Sequence, residues 1–385
     1  MFEQELEQLE QSRILRRIMV IDSSDGPRVK IKGRDMLLLC SNDYLGLANH
    51  PALRQAAMQA MQRYGFGSGA SRLVSGTGPL HQALEDKIAG FKGTEAALVF
   101  NSGYAANTGI IPAIAGSGDL ILSDSLNHAS IIDGCRLSKA EVRVYRHKDA
   151  GQVETLLKKG PNAKQKLIVT DGVFSMDGDI APLQDLVSLS EKYGAILMVD
   201  DAHGTGVLGK TGRGTVEHAV VSGHVHIQMG TLGKAFGSFG AYVAGSNDLI
   251  DFLINRARSL IFSTALPPSV CAASIAGIDI VEQDSECRDR LWKNRNKFAN
   301  GLKSIGISTE NSETPIIPII IGDSGQALKV AKKLFEYGIY APAIRPPTVP
   351  TNAARIRTTI TAAHTDDDID TALDIFRRLQ HEGYL

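Results

Sequence analysis

Short apolar runs alternate along this chain with stretches whose apolar positions recur every three or four residues. Runs at 96–101, 120–124, 142–145, 167–170 and 196–200 are too short for helices and almost continuously aliphatic, the pattern of strands covered on both faces. Two more lie at 227–231 and 241–244, and helical spacing fills most gaps, including a stretch through Ile110 and Ile111. This predicts an α/β fold with a mostly parallel central sheet flanked by helices. Near residue 285 the pattern changes. A helix at 286–304, a strand at 316–321, a helix at 326–337 and strands around Ala343 and at 355–360 predict a smaller C-terminal α+β domain. The expected division is 1–45 (a helix and short strands), 46–285 (the large domain) and 286–385. Residues 1–20 read as an amphipathic helix with Phe2, Leu6 and Leu9 on one stripe.

Charge and composition narrow the function. Lys and Arg number 41 against 42 Asp and Glu, a net charge of −1 over 385 residues. That balance argues against a protein whose task is to hold nucleic acid or an anionic membrane. No apolar run reaches the length of a membrane span. The first residues are acidic and lack the basic and apolar regions of a signal peptide. Cys40, Cys135, Cys271 and Cys287 are scattered without C-x-x-C spacing, which supports neither a disulfide framework nor a zinc site. A cytoplasmic protein with no metal is expected. Glycine is in surplus, and the stretches 65–78, 204–214 and 230–240 hold 14 of the 38. Such clustering suits backbone brought close to a ligand better than general flexibility.

In an open α/β sheet, ligands bind beyond the carboxyl ends of the strands. Polar residues of catalytic type succeed five of the predicted strands: Ser102-Gly103-Tyr104, Asp124 to His128, Asp171 to Ser175, Asp200-Asp201-Ala202-His203, and Thr231 to Lys234. One segment, Gly204 to Gly209, matches the G-x-G-x-x-G of dinucleotide-binding loops. The fingerprint needs those glycines to open a helix, and the next residues, Lys210 to Gly214, are a poor helix start. The match is read as accidental.

Lys234 lies in a glycine-bounded turn among apolar neighbours. Desolvation there lowers an amine's pKa and makes it nucleophilic toward a carbonyl. A Schiff base to pyridoxal 5'-phosphate is the natural hypothesis, and such a cofactor needs an anion for its pyridinium nitrogen. Asp200, closing a buried strand, supplies one. His203 is three residues on, in reach of the cofactor's phenolic oxygen, and His128 could stack on its ring. The amides of Gly103 and Tyr104 at a helix start, with the hydroxyls of Ser175 and Thr231, would take the phosphate.

Four segments carry a family resemblance: Ser-Asn-Asp-Tyr-Leu-Gly at 41–46, Phe-Ser-Met-Asp-Gly-Asp at 174–179, Val-Asp-Asp-Ala-His-Gly at 199–204 and Thr-Leu-Gly-Lys at 231–234. Together they resemble the α-oxoamine synthases, pyridoxal-phosphate enzymes of fold type I that condense an amino acid with an acyl thioester. The resemblance runs from about residue 12 to about residue 380 of the chain. It implies the same roles for Lys234, Asp200, His203 and His128, with Gly103, Tyr104, Ser175 and Thr231 about the phosphate. It further implies that Arg357 clamps the amino acid's carboxylate, and that Arg16, Asn42, His128, Arg345 and Thr348 meet the substrates. Ser263 and Thr264 resemble a phosphate contact lent by a neighbouring subunit, which implies a homodimer with a shared site. The segment Ala-Ile-Arg-Pro-Pro-Thr-Val-Pro at 343–350 looks most like members that join L-alanine to a pimeloyl thioester, carried on coenzyme A or acyl carrier protein, in biotin biosynthesis. Other members, using glycine with acetyl-CoA or serine with a long acyl chain, stay open at this point, as does a fold type I aminotransferase. A non-catalytic regulatory subunit would be expected to lack Lys234.

Overall fold

The computed structural model describes residues 2–160, 163–309 and 312–385. Contacts divide the chain into a large unit, Leu47–Ser175 with Ile180–Arg288, and a small unit, Met1–Gly46 with Met176–Asp179 and Asp289–Leu385. The limits between the units lie at 46/47 and 288/289 apart from the 176–179 segment, and the N-terminal residues group with the C-terminal ones. They pack together because Leu37 and Leu39 belong to the same apolar core as Ile317, Ile356 and Phe376.

The large unit is built on seven strands: β1 (Ala96–Phe100), β2 (Leu120–Asp124), β3 (Glu141–Tyr145), β4 (Lys166–Asp171), β5 (Ile196–Asp200), β6 (Ile227–Thr231) and β7 (Ala241–Gly245). Their order across the sheet is β1-β7-β6-β5-β4-β2-β3. Neighbours are parallel from β6 to β3, whereas β7 runs antiparallel to β1 and β6. The reason is chain length. Residues 232–240 are too few for the crossover a parallel return needs, so β7 turns straight back on β6. Apolar side chains cover both faces, Leu98, Ile121, Val169 and Met198 on one and Leu120, Leu122, Ile168 and Leu197 on the other. At the edge, β3 exposes Val142 and Val144, unlike the doubly covered strand expected there, because an edge strand has a neighbour on one side only.

In the small unit a four-stranded sheet joins Ser23–Asp25, Arg28–Ile31, Arg34–Leu38 and Ile339–Tyr340, and a three-stranded sheet joins Ile316–Gly322, Ala354–Thr359 and Ala343–Ile344. Helices Ser324–Glu336 and Asp366–His381 pack apolar faces into its core. The latter is fixed at its start by a capping box between Thr365 and Asp368, which satisfies two otherwise orphaned amides. The first helix covers only Phe2–Gln11, not 1–20, and Phe2, Leu6 and Leu9 all face solvent. Among the described residues no helix is long and apolar enough to cross a membrane.

Gly178 tests how tightly the small unit is packed. Its φ is +74°, and a Cβ there would lie 2.1 Å from the Ile316 carbonyl oxygen, while its own carbonyl accepts from Thr314 and Glu313. Gly33 has a similar φ of +73° with open space around it. In urea unfolding, Gly178→Ala is expected to cost about 3 kcal/mol and Gly33→Ala about 1 kcal/mol, the difference being the clash.

Candidate active site

Strand register sets the site. Asp171 at the end of β4 is level with Asp200 at the end of β5, and Asp200 with Met229 of β6. The carboxyl ends of the parallel strands therefore form one edge. Asp200 is buried at 4% exposure. Its Oδ1 accepts from the Ala202 amide at 3.0 Å and its Oδ2 from Asn107 Nδ2 at 2.8 Å. Burial raises its pKa, against the pull of the nearby Lys234 cation and the bonds from Asn107 and Ala202. Asp171 is pushed up further, by burial and by Asp200 beside it.

Lys234 stands in the tight connection from β6 to β7. That connection is pinned by Leu232 N–H to the Gly240 carbonyl at 2.9 Å, Ser238 N–H to Leu232 at 2.9 Å and Gly237 N–H to Lys234 at 2.9 Å. The lysine Nζ lies 3.0 Å from His203 Nε2. His128 caps helix Ala129–Ser138, its Nδ1 accepting from the Ser130 amide at 3.2 Å. The neutral ring therefore carries its proton on Nε2. Its backbone is held by Asp171 Oδ2, which accepts from the His128 amide at 2.7 Å.

Helix Gly103–Ile114 begins after β1, and Ser102 Oγ caps the Ala105 amide at 3.1 Å. The amides of Gly103 and Tyr104 are thus the first-turn donors with no intrahelical acceptor. Tyr104's side chain points outward to Asp133. Thr231 is half-buried and bonds the Ala202 carbonyl at 3.3 Å. Ser175 sits in the loop closed by the bridge between Val173 and Ile180. Thr264 is exposed, bridged to Ser71, with its carbonyl accepting from Asn101 Nδ2 at 2.8 Å. The stretch Gly204 to Gly214 forms turns leading only to the four-residue helix Thr215–His218, which is no dinucleotide-binding helix.

The residues at this edge fit pyridoxal phosphate. An amine, a buried carboxylate and an imidazole converge on one place, and Asn107 Oδ1 is buried there without a partner among the described residues. A Cβ on Gly103 would sit 3.0 Å from the Thr231 methyl, Cγ2, so the helix start is kept bare beside that side chain. The donor set answers each part of the cofactor: aldehyde, ring nitrogen, phenolic oxygen and phosphate.

The small unit holds a second cluster. Arg357 is 6% exposed; its Nη2 donates to Asn42 Oδ1 at 3.1 Å and its Nη1 to Thr359 Oγ1 at 2.8 Å. Tyr44 lies against it, with a pKa pushed up to about 12 by burial and pulled back by that guanidinium. Arg355, two residues before, is equally buried and pairs with Asp177 Oδ1 at 2.6 Å. Neither arginine faces water as a plain strand arginine would. Arg16 Nη2 donates to Thr348 Oγ1 at 3.0 Å, and Arg345 donates to the Arg13 and Leu15 carbonyls. The 343–350 segment and residues 13–16 thus meet.

Sequence reading missed Asn107, Ser130 and Tyr44. Asn107 was findable as a lone amide in an otherwise apolar helix stretch. The other two show only through their partners. The electrostatics of the cluster are open to measurement without any ligand. Burial lowers the His128 pKa, Asp200 raises it and Lys234 lowers it. Nitrogen-detected NMR of the ring should therefore find a midpoint below the ordinary 6.5. Asp200→Asn should move that midpoint further down, and Lys234→Ala should move it up.

Comparison with known proteins gives the family. The model of the aminotransferase class I and II family matches residues 34–376. The 8-amino-7-oxononanoate synthase of Geobacter sulfurreducens is 53% identical over 380 residues, 98% of this chain and 97% of that protein. A serine palmitoyltransferase from S. paucimobilis, solved with bound pyridoxal phosphate and myriocin, superposes with a TM-score of 0.95 at 33% identity, covering 100% of this chain and 98% of the other. An 8-amino-7-oxononanoate synthase from Francisella tularensis superposes with a TM-score of 0.78 at 32% identity, covering 91% and 99%.

Proposed function

The chain belongs to the aminotransferase class I and II family and, within it, to the α-oxoamine synthases, and from that premise we propose that it condenses L-alanine with a pimeloyl thioester to give 8-amino-7-oxononanoate, carbon dioxide and the free thiol carrier in biotin biosynthesis. The observation that carries this reading is 53% identity over 98% of the chain to an 8-amino-7-oxononanoate synthase. Pyridoxal 5'-phosphate is the cofactor. When bound, it supplies an aldehyde for an amine and a cationic ring that takes up the electron pair left at an amino acid's α-carbon.

The protein's own groups do the rest. Lys234 would hold the cofactor, and its Nζ would serve as general base toward the amino acid's α-proton. Asp200 would meet the ring nitrogen; a buried carboxylate held by neutral donors favours a cation opposite it. His203, 3.0 Å from Lys234 Nζ, would orient the amine and the phenolic oxygen, and His128 would stack on the ring. The Gly103 and Tyr104 amides, Ser175 and Thr231 hold the phosphate. Arg357 takes the alanine carboxylate through a bidentate pair, and Arg16, Asn42, Arg345 and Thr348 bind the acyl substrate.

We assign Thr264 to the phosphate of a neighbouring subunit, which makes the enzyme a homodimer. Around Thr264 the large unit exposes Phe66, Leu73, Val74 and Phe262, an apolar surface suited to a second copy. Four free cysteines suit the reducing cytoplasm.

Product analysis tests the reading. Mixed with alanine or glycine and a series of acyl thioesters, the enzyme should release product fastest with alanine and pimeloyl thioester. Faster turnover of serine with a long acyl chain, or of glycine with acetyl-CoA, would overturn the substrate assignment. Lys234→Ala should lack the absorbance band at about 410–430 nm and all turnover. Arg357→Leu should keep the band while KM for alanine rises by about tenfold or more.

A further inference from the structure

Next to Asp200 in sequence is a second carboxylate, Asp201, that the reaction does not use. It is wholly buried and has an unusually full set of partners. Its Oδ2 accepts from Lys92 Nζ at 3.0 Å and from Thr205 Oγ1 at 3.0 Å, and its Oδ1 accepts from Thr215 Oγ1 at 2.7 Å and the Thr215 amide at 3.0 Å. Three glycines press on this carboxylate. A Cβ on Gly204 would lie 2.1 Å from Oδ1, one on Gly214 1.7 Å from Oδ2, and one on Gly172 3.2 Å from Oδ1. Lys92 is as deeply buried, ends helix Pro79–Lys92 and also donates to the Arg213 carbonyl. A cation at that end of a helix is favoured by its dipole. Burial would pull the Lys92 pKa down, but Tyr242 and Asp201 hold it above its ordinary value.

This cluster reaches both walls of the cofactor site. The Asp201 amide donates to the Met229 carbonyl of β6 at 2.7 Å, and its carbonyl accepts from Gly204 and Thr205, closing the turn that carries His203. Thr205 Oγ1 lies 3.0 Å from the Tyr242 hydroxyl. That hydroxyl fills the space a Cβ on Gly230 would need, at 2.4 Å, one residue before Thr231 and four before Lys234. We propose that the Lys92–Asp201 pair, with Thr205, is the positioning device that fixes Asp200 and His203 against Lys234. Lys92, Asp201 and Thr205 are positioning residues acting through the turn, and the inference rests on Lys234 being the residue that holds pyridoxal phosphate.

The test uses the holoenzyme. Lys92→Met leaves the Asp201 carboxylate without its cation beside Asp200. In a variant shown to be folded by circular dichroism, the dissociation constant for pyridoxal phosphate should rise about tenfold. The pH at which the 410–430 nm band bleaches should rise by about one unit, because added negative charge favours the protonated chromophore. A loss of packing alone would lower the melting temperature and leave that pH in place. Thr205→Val keeps both charges and the side-chain volume, and should weaken cofactor binding about threefold. If Lys92→Met does not fold, Thr205→Val decides. A parent enzyme with the band, and folded variants that match it in affinity and bleaching pH, overturn this inference alone. A parent without the band overturns the reading of Lys234 and this inference together.

Discussion

Burying a carboxylate away from water costs several kcal/mol unless a cation or enough hydrogen-bond donors repay it, and the carboxyl edge of the large sheet buries four. Asp124, Asp171, Asp200 and Asp201 all lie within 4% of full burial. Each is answered differently. Asp124 accepts from the Leu126 and Lys148 amides and from His147. Asp171 takes the His128 amide, and Asp201 has Lys92 and Thr215. Asp200 is given two neutral donors, from Asn107 and Ala202, and the field of Lys234. Burial raises its pKa, so a further cation set against it would ease the cost of its charge.

Placing that anion depends on sheet topology. Parallel strands bring their carboxyl ends to one edge, so five separate segments deliver polar groups to one place with no contact in sequence. Lys234 is carried on the last of them, the short antiparallel turn between β6 and β7. A connection of that length cannot wander, and its internal backbone bonds fix the lysine's base before any ligand is bound. The amine's position is therefore set by a rigid element, as a nucleophile's must be if binding energy is not to be spent on ordering it.

Much of this was legible in the sequence. The seven strands fall within one or two residues of their expected limits, because each is a continuous apolar run ending in a polar residue. Lys234, Asp200, His203 and His128 stand out in the sequence because each comes just after a strand or closes one. What the sequence hid was partnership. Nothing in the local pattern tells that Asn107 bridges Ser130 and Asp200, or that Arg355 is tied to Asp177. Strand alternation puts Arg355 and Arg357 on one face, and neighbouring arginines look alike in a string of letters. Only their acceptors separate them: a carboxylate for Arg355, an amide and a hydroxyl for Arg357. The N-terminal stripe misled for the opposite reason, since a periodic apolar pattern shows that a helix can bury a face and not that this chain supplies something to bury it against.

Asp200 and Asp201 bring these threads to one point. The two are adjacent and chemically identical, yet at the end of a strand successive side chains leave on opposite sides. One side leads to helix Gly103–Ile114 and an amide, the other to helix Pro79–Lys92 and an ammonium. A fully paired Asp201 can serve as a fixed post because its charge is already met and any movement would break several bonds at once. An incompletely met Asp200 can serve as a binding group because a cation still improves its surroundings. Exchanging their environments would put the ammonium on Asp200 and leave the carboxylate beneath the turn without a cation, so it is the placement of Lys92, distant in sequence from both, that decides which aspartate has a fixed cationic partner.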